Sequence, residues 1–140
     1  MISLHLARWL RDAGMEWHPT VGDEFVMPDH DIDVTFRMAD MVVEVRRVPA
    51  GRIIAFNGTP EWAMDAIMLH EAVWMPREDQ LRALLGDRFL RLQRDLEGMR
   101  VDVVDADGSP SSHLATTAVD AHAKALLALL RHTEDTAGHP

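Results

Sequence analysis

The stretch Gly51–Gln80, GRIIAFNGTPEWAMDAIMLHEAVWMPREDQ, constrains the fold more than any other part of the chain. Arg52–Phe56 alternates and is β-branched, so it reads as a strand. Asn57-Gly58 is the strongest short turn signal, because both residues tolerate positive φ. Thr59 then caps a helix whose first residue, Pro60, needs no amide donor. The helix is read to Leu69, and Glu71–Met75 returns to a short apolar run. Pro76 opens a second helix over 76–85, which Gly86 stops. A strand, a tight turn and two helix starts within thirty residues demand a compact mixed α and β architecture.

The rest of the chain extends that order. Ser3–Ala13 is amphipathic, with Leu6 and Leu10 on one stripe, Trp9 and Ala13 beside it, and Gly14 as terminator. Phe25–Met27 and Val34–Met38 read as short strands. Met41–Val48 and Arg52–Phe56 flank Pro49-Ala50-Gly51 as an antiparallel hairpin. Phe89–Arg94 and Met99–Val104 flank Asp95–Gly98 as a second. Asp105–Ser112 reads as a flexible loop ending in a serine cap, Leu114–Leu130 as the longest helix, and Thr133–Pro140 as a polar tail. The fold class is α+β: one domain over 1–132, an antiparallel sheet of about four to six strands packed against the N- and C-terminal helices, and a tail over 133–140.

Composition narrows the chemistry. The 140 residues are 47% hydrophobic, enough for a core without a metal or disulfide. There is no cysteine, which removes thiolate nucleophiles and thiolate metal sites. Lysine occurs once, at Lys124, followed by Ala125, so no Walker loop can form and nucleoside triphosphates are not expected ligands. No G-x-S-x-G elbow and no dinucleotide fingerprint is present. The opening MISLHLARWLRDAG interrupts its apolar pattern with arginines, unlike an export signal, and no run reaches the length of a membrane span. A cytoplasmic location is the expectation. The net charge of −9 disfavours nucleic acid and anionic membrane as partners.

The acidic excess is local. From Glu16 to Asp40 seven acids (Glu16, Asp23, Glu24, Asp29, Asp31, Asp33, Asp40) face Arg37 alone. Asp29-x-Asp31-x-Asp33 copies the first three ligand positions of a calcium loop. Such a loop wants glycine at its sixth position and a bidentate glutamate at its twelfth, where this chain has Val34 and Asp40. The plainer reading is a solvated acidic turn. The alternative is a divalent-cation site, in a binding protein or a metal-dependent hydrolase, built on Asp29, Asp31, Asp33 and Asp40.

Three further constellations reduce to ordinary structure. Glu61 and Asp65 stand one helical turn apart, but His70 lies about 140° around a helix from Asp65 and does not join them. His70-Glu71 begins a zincin motif that Trp74 fails to complete. His113 and His122, nine residues apart, point about 180° away from each other on a single helix. The four tryptophans (Trp9, Trp17, Trp62 and Trp74) border apolar neighbours and read as core.

The segments FNGTPEWAMD and EAVWMPREDQLRALLG, with the opening LARWLRDAGMEWHPTVGDEF and the late AKALLALL, resemble short actinobacterial and phage-borne proteins of unknown function. The typical version there reads FNGTTEWALD and EALWLPREDQLRELL. Some of these proteins carry a pilus-assembly label, after a ParA-like ATPase. The resemblance brings no active-site residues with it. The sequence therefore points to a small binding or accessory module without catalysis and without a resident cofactor, engaging a protein partner or further copies of itself.

Overall fold

The computed structural model describes residues 1–28, 32–38, 42–49, 51–56, 66–68 and 71–137. Within them the chain is α+β, with antiparallel strands and a helix near each end. The strands are distributed over three three-stranded sheets. Packing gathers the chain into two compact units: Met1–Glu16 with Pro76–Pro140, and Trp17–Met75.

In the first unit α1 spans Leu4–Asp12 and buries Leu6, Ala7 and Leu10 on one stripe. Gly14 stops it as anticipated, at a φ of 105°. The Gly14 amide donates to Arg11 O at 3.1 Å and the Met15 amide to Leu10 O at 2.9 Å, which satisfies two carbonyls the ending helix would leave open. Helix α2, Glu78–Leu85, buries Leu81 and Leu85. The Gln80 side chain reaches back to accept from the Arg77 amide at 2.9 Å. A short 3-10 turn, Gly86–Arg88, leads into the sheet.

That sheet is a meander of β7 (Phe89–Asp95), β8 (Gly98–Val104) and β9 (Pro110–Ala115). Asp95 faces Gly98 across a two-residue turn, as the sequence predicts. Gly98 has a φ of 150°, and a side chain there would overlap the Ala115 carbonyl, so only glycine lets β8 lie this close to the end of β9. Val101 and Val103 are fully buried. Helix α3, Ala118–Ala137, packs on β8 and β9, and α1 and α2 pack on α3. Its buried alanines Ala121, Ala123 and Ala125 keep the helix surface low, which suits close approach.

Here the structure corrects the sequence reading. Residues 110–115 form a strand, not the end of a loop and the start of a helix. The helix begins at Ala118, with Thr117 Oγ1 accepting from the Asp120 amide at 3.3 Å as its cap. It also continues to Ala137, into the segment read as a polar tail.

In the second unit β1 (Glu24–Met27) lies between β2 (Ile32–Arg37) and β6 (Val73–Trp74). Phe25 faces Phe36 on one side and Trp74 on the other. Phe25 and Phe36 stack with centroids 5.4 Å apart, and Trp17 stacks on Trp74 at 6.4 Å. This aromatic ladder, with Met27, Met38 and Val73, makes the buried interior of the unit. A second sheet pairs β3 (Val42–Val48) with β4 (Gly51–Phe56), the predicted hairpin, and β4 with β5 (Ala66–Met68). The helix read over 59–69 therefore fails at its end, where Ile67 pairs with Ile54. Residues 57–65, with Trp62, Glu61 and Asp65, and His70 lie outside the described residues. Among the described residues no helix is long and apolar enough to cross a membrane.

Candidate functional site

The chemistry-bearing side chains of the first unit fall into three polar clusters and one exposed face. His122, on α3, is fully buried. Its Nδ1 lies 2.7 Å from the Ala118 carbonyl, which can only accept, so Nδ1 carries a proton. Nε2 then accepts from Arg82 Nε at 3.3 Å and Nη2 at 3.2 Å. Phe89 stacks on the imidazole with centroids 5.5 Å apart, and the Arg82 guanidinium sits 4.5 Å from the Phe89 ring centre. Glu78 steadies the arginine from one turn earlier at 3.5 Å. Both ring nitrogens of His122 are thus engaged inside the protein, which leaves no lone pair for a metal or for general-base work. His113 lies on β9 rather than on the same helix, so the two histidines belong to different clusters.

The second cluster crosses the sheet. Arg91, Asp102 and Ser112 are direct neighbours on β7, β8 and β9. Asp102 is only 5% exposed. Its Oδ1 accepts from Ser112 Oγ at 2.6 Å and faces Arg100 Nε at 3.3 Å, and its Oδ2 accepts from Arg91 Nε. The Ser112 hydroxyl first, and then the two arginines, hold the Asp102 carboxyl below its usual pKa against the opposing effect of burial.

The third cluster, Asp105–Ser111–His113, contains the residue types of a hydrolytic triad in the wrong order. Ser111 Oγ donates to Asp105 Oδ1 at 2.8 Å and lies 3.0 Å from His113 Nε2. The single hydroxyl proton goes to the carboxylate, so His113 donates to the serine. A serine nucleophile needs the reverse: histidine between serine and carboxylate, taking the hydroxyl proton. Burial pushes the His113 pKa down, with Asp105 and Asp102 pulling the other way.

The exposed face belongs to α1. Trp9 is 46% exposed, contrary to its reading as core. The His5 ring meets it edge-on at 5.1 Å, and the Arg131 guanidinium from α3 lies 5.5 Å from its centre. Arg8, Arg11 and Leu4 are exposed on the same helix. The sequence held a signal for this, since Trp9 sits at the edge of the Leu6–Leu10 stripe between two arginines. Arg131, 122 positions away in sequence, had none.

The acidic segment divides. Asp23 is 2% exposed and structural: its Oδ2 accepts from Trp17 Nε1 at 2.9 Å and from the Thr20 amide at 3.0 Å. Glu24 accepts from Arg37 Nη2 at 2.6 Å. Asp33 lies in β2, where the register slips between Val26 and Met27. Asp29, Asp31 and Asp40 lie outside the described residues. Among the described residues no three His, Asp or Glu side chains converge at a metal-binding spacing. Comparison with protein-family models, with curated proteins and with solved structures finds no match to this chain.

Proposed function

We propose that the chain is a small non-catalytic binding or accessory module that works through the outward face of α1. The observation that carries this reading is Trp9, nearly half exposed while the neighbouring Leu6, Ala7 and Leu10 are buried. An exposed tryptophan held between an arginine and a second ring has the composition of a binding hot spot. The internal engagement of His122, Asp102 and Ser111 supports the same reading, because these side chains serve packing rather than turnover. A cytoplasmic setting and a protein partner, rather than nucleic acid, belong to the proposal.

The test is affinity capture from the native organism with wild-type protein and with Trp9→Ala, followed by titration of the purified captured protein. Binding weakened about tenfold or more by Trp9→Ala at unchanged melting temperature is the expected result. A partner that binds both proteins equally moves the interaction away from α1 and overturns the reading.

A further inference from the structure

The surface around Trp9 has a charge of its own, which points to the kind of partner it takes. Among the described residues around Trp9, Arg8 and Arg131 stand against Asp12, with His5 beside them. The chain as a whole carries −9. Asp12 is occupied by Arg11 at 3.2 Å. Arg131 is spread over the Trp9 ring rather than turned to a carboxylate. An arginine on an indole face keeps its edge N–H groups directed outward, where they can fork onto an incoming carboxylate.

We infer that the Trp9 face docks an acidic segment of a partner protein, one carrying carboxylates beside an apolar side chain. This rests on the reading of the chain as a binding module and adds the chemistry of the occupant. The apolar side chain packs on Trp9, and the carboxylates meet Arg8 and Arg131. A symmetric pair of two copies through this face is disfavoured, because a two-fold axis sets these arginines against their own kind. Nucleic acid offers the matching sign of charge, but the chain's net −9 repels its long phosphate backbone.

The probe is a synthetic amphipathic peptide with glutamate at its polar positions and leucine at its apolar ones. The control replaces every glutamate by lysine. Both are titrated into 15N-labelled full-length protein, and the Trp9 indole signal, assigned through Trp9→Phe, is followed. The glutamate peptide is expected to shift the Trp9 signal saturably, and the lysine peptide not at all. Arg8→Glu with Arg131→Glu, or about 0.5 M salt, should weaken the binding about tenfold or more. A shift of equal size with the lysine peptide overturns the acidic partner and leaves the binding module standing. A Trp9 signal that moves with protein concentration alone, and is unmoved by either peptide, makes the occupant a second copy and also overturns the acidic partner. A signal that responds to neither peptide nor protein concentration sinks both proposals. An unchanged melting temperature of the double variant shows that loss of binding is not loss of fold.

Discussion

Ser3 and Asp120, 117 positions apart, are joined by two hydrogen bonds: the Ser3 amide to Oδ1 at 2.9 Å and the Ser3 hydroxyl to Oδ2 at 2.5 Å. Asp120 also lies in the first turn of α3, where a carboxylate favours the positive end of the helix dipole. One side chain thus fixes the starts of both terminal helices. Asp120→Ala should cost about 2–3 kcal/mol, because the bonds it accepts end on a charged group. Ser3→Ala leaves the amide bond in place and should cost about 1 kcal/mol. Urea unfolding of both variants and of the double variant checks this, and strictly additive losses would show that the two residues do not act together.

His113 and Asp102, both with displaced pKa, act at different pH. His113 is held below its ordinary 6.5, mainly by burial. The unfolded chain therefore takes up a proton there before the folded chain does, and stability falls as pH drops below about 6.5. Asp102 is held below 3.8, so its contribution is present above that value and is lost as pH falls through its lower folded pKa. Melting temperature measured from pH 7 down to 3 should decline in two stages. His113→Gln should flatten the first and leave the second. A first stage of undiminished slope in His113→Gln would assign it to other groups.

Trp17 and Trp74 stack on each other, yet their indole N–H groups differ. Trp17 Nε1 donates to the buried Asp23, whereas Trp74 Nε1 is buried with no acceptor among the described residues. Replacing either ring by phenylalanine removes similar volume. Trp17→Phe also strips a buried carboxylate of a donor and should cost about 1–3 kcal/mol more than Trp74→Phe, which removes an unsatisfied group. Chemical denaturation ranks the two directly, and the reverse order would contradict this account of the aromatic ladder.

Changing Asp29, Asp31 and Asp33 together to asparagine should leave stability at neutral pH level or slightly raised. The change relieves repulsion in a segment where the only arginine, Arg37, is taken by Glu24. Millimolar calcium or magnesium should leave the wild-type melting temperature where it is. A rise of several degrees that disappears in the triple variant would establish a cation site in this segment.

Much of the fold was legible wherever local chemistry and tertiary packing agree. Gly14 ends α1, Gly86 ends α2 and Asp95–Gly98 turns β7 into β8, because positive φ is a local demand that glycine alone meets cheaply. Strand β9 was not legible. Its sequence, PSSHLA, has weak strand preference, and it is held by pairing with β8 and by side-chain bonds that no local pattern signals: Ser112 to Asp102 and Ser111 to Asp105. Ala66–Met68 was drawn into a helix by its apolar run, and pairing with β4 decided otherwise. The His122–Arg82 cluster spans 40 positions and the Trp9–Arg131 contact spans three times as many, so helical spacing alone gave no warning of either.

The division of the chain has a consequence for its synthesis on the ribosome. Helix α1 belongs to the same unit as residues 76–140, and Trp17–Met75 is interposed between them. The interposed unit emerges whole while α1 still waits for α3, the later element it packs against. Throughout that interval Leu6, Ala7 and Leu10, buried in the finished fold, lack the cover that α3 gives α1. The nascent chain is thus exposed to chaperones, and to mistaken association, along α1 for the whole time the interposed unit is being made, and the docking of α3 closes an element made well before it.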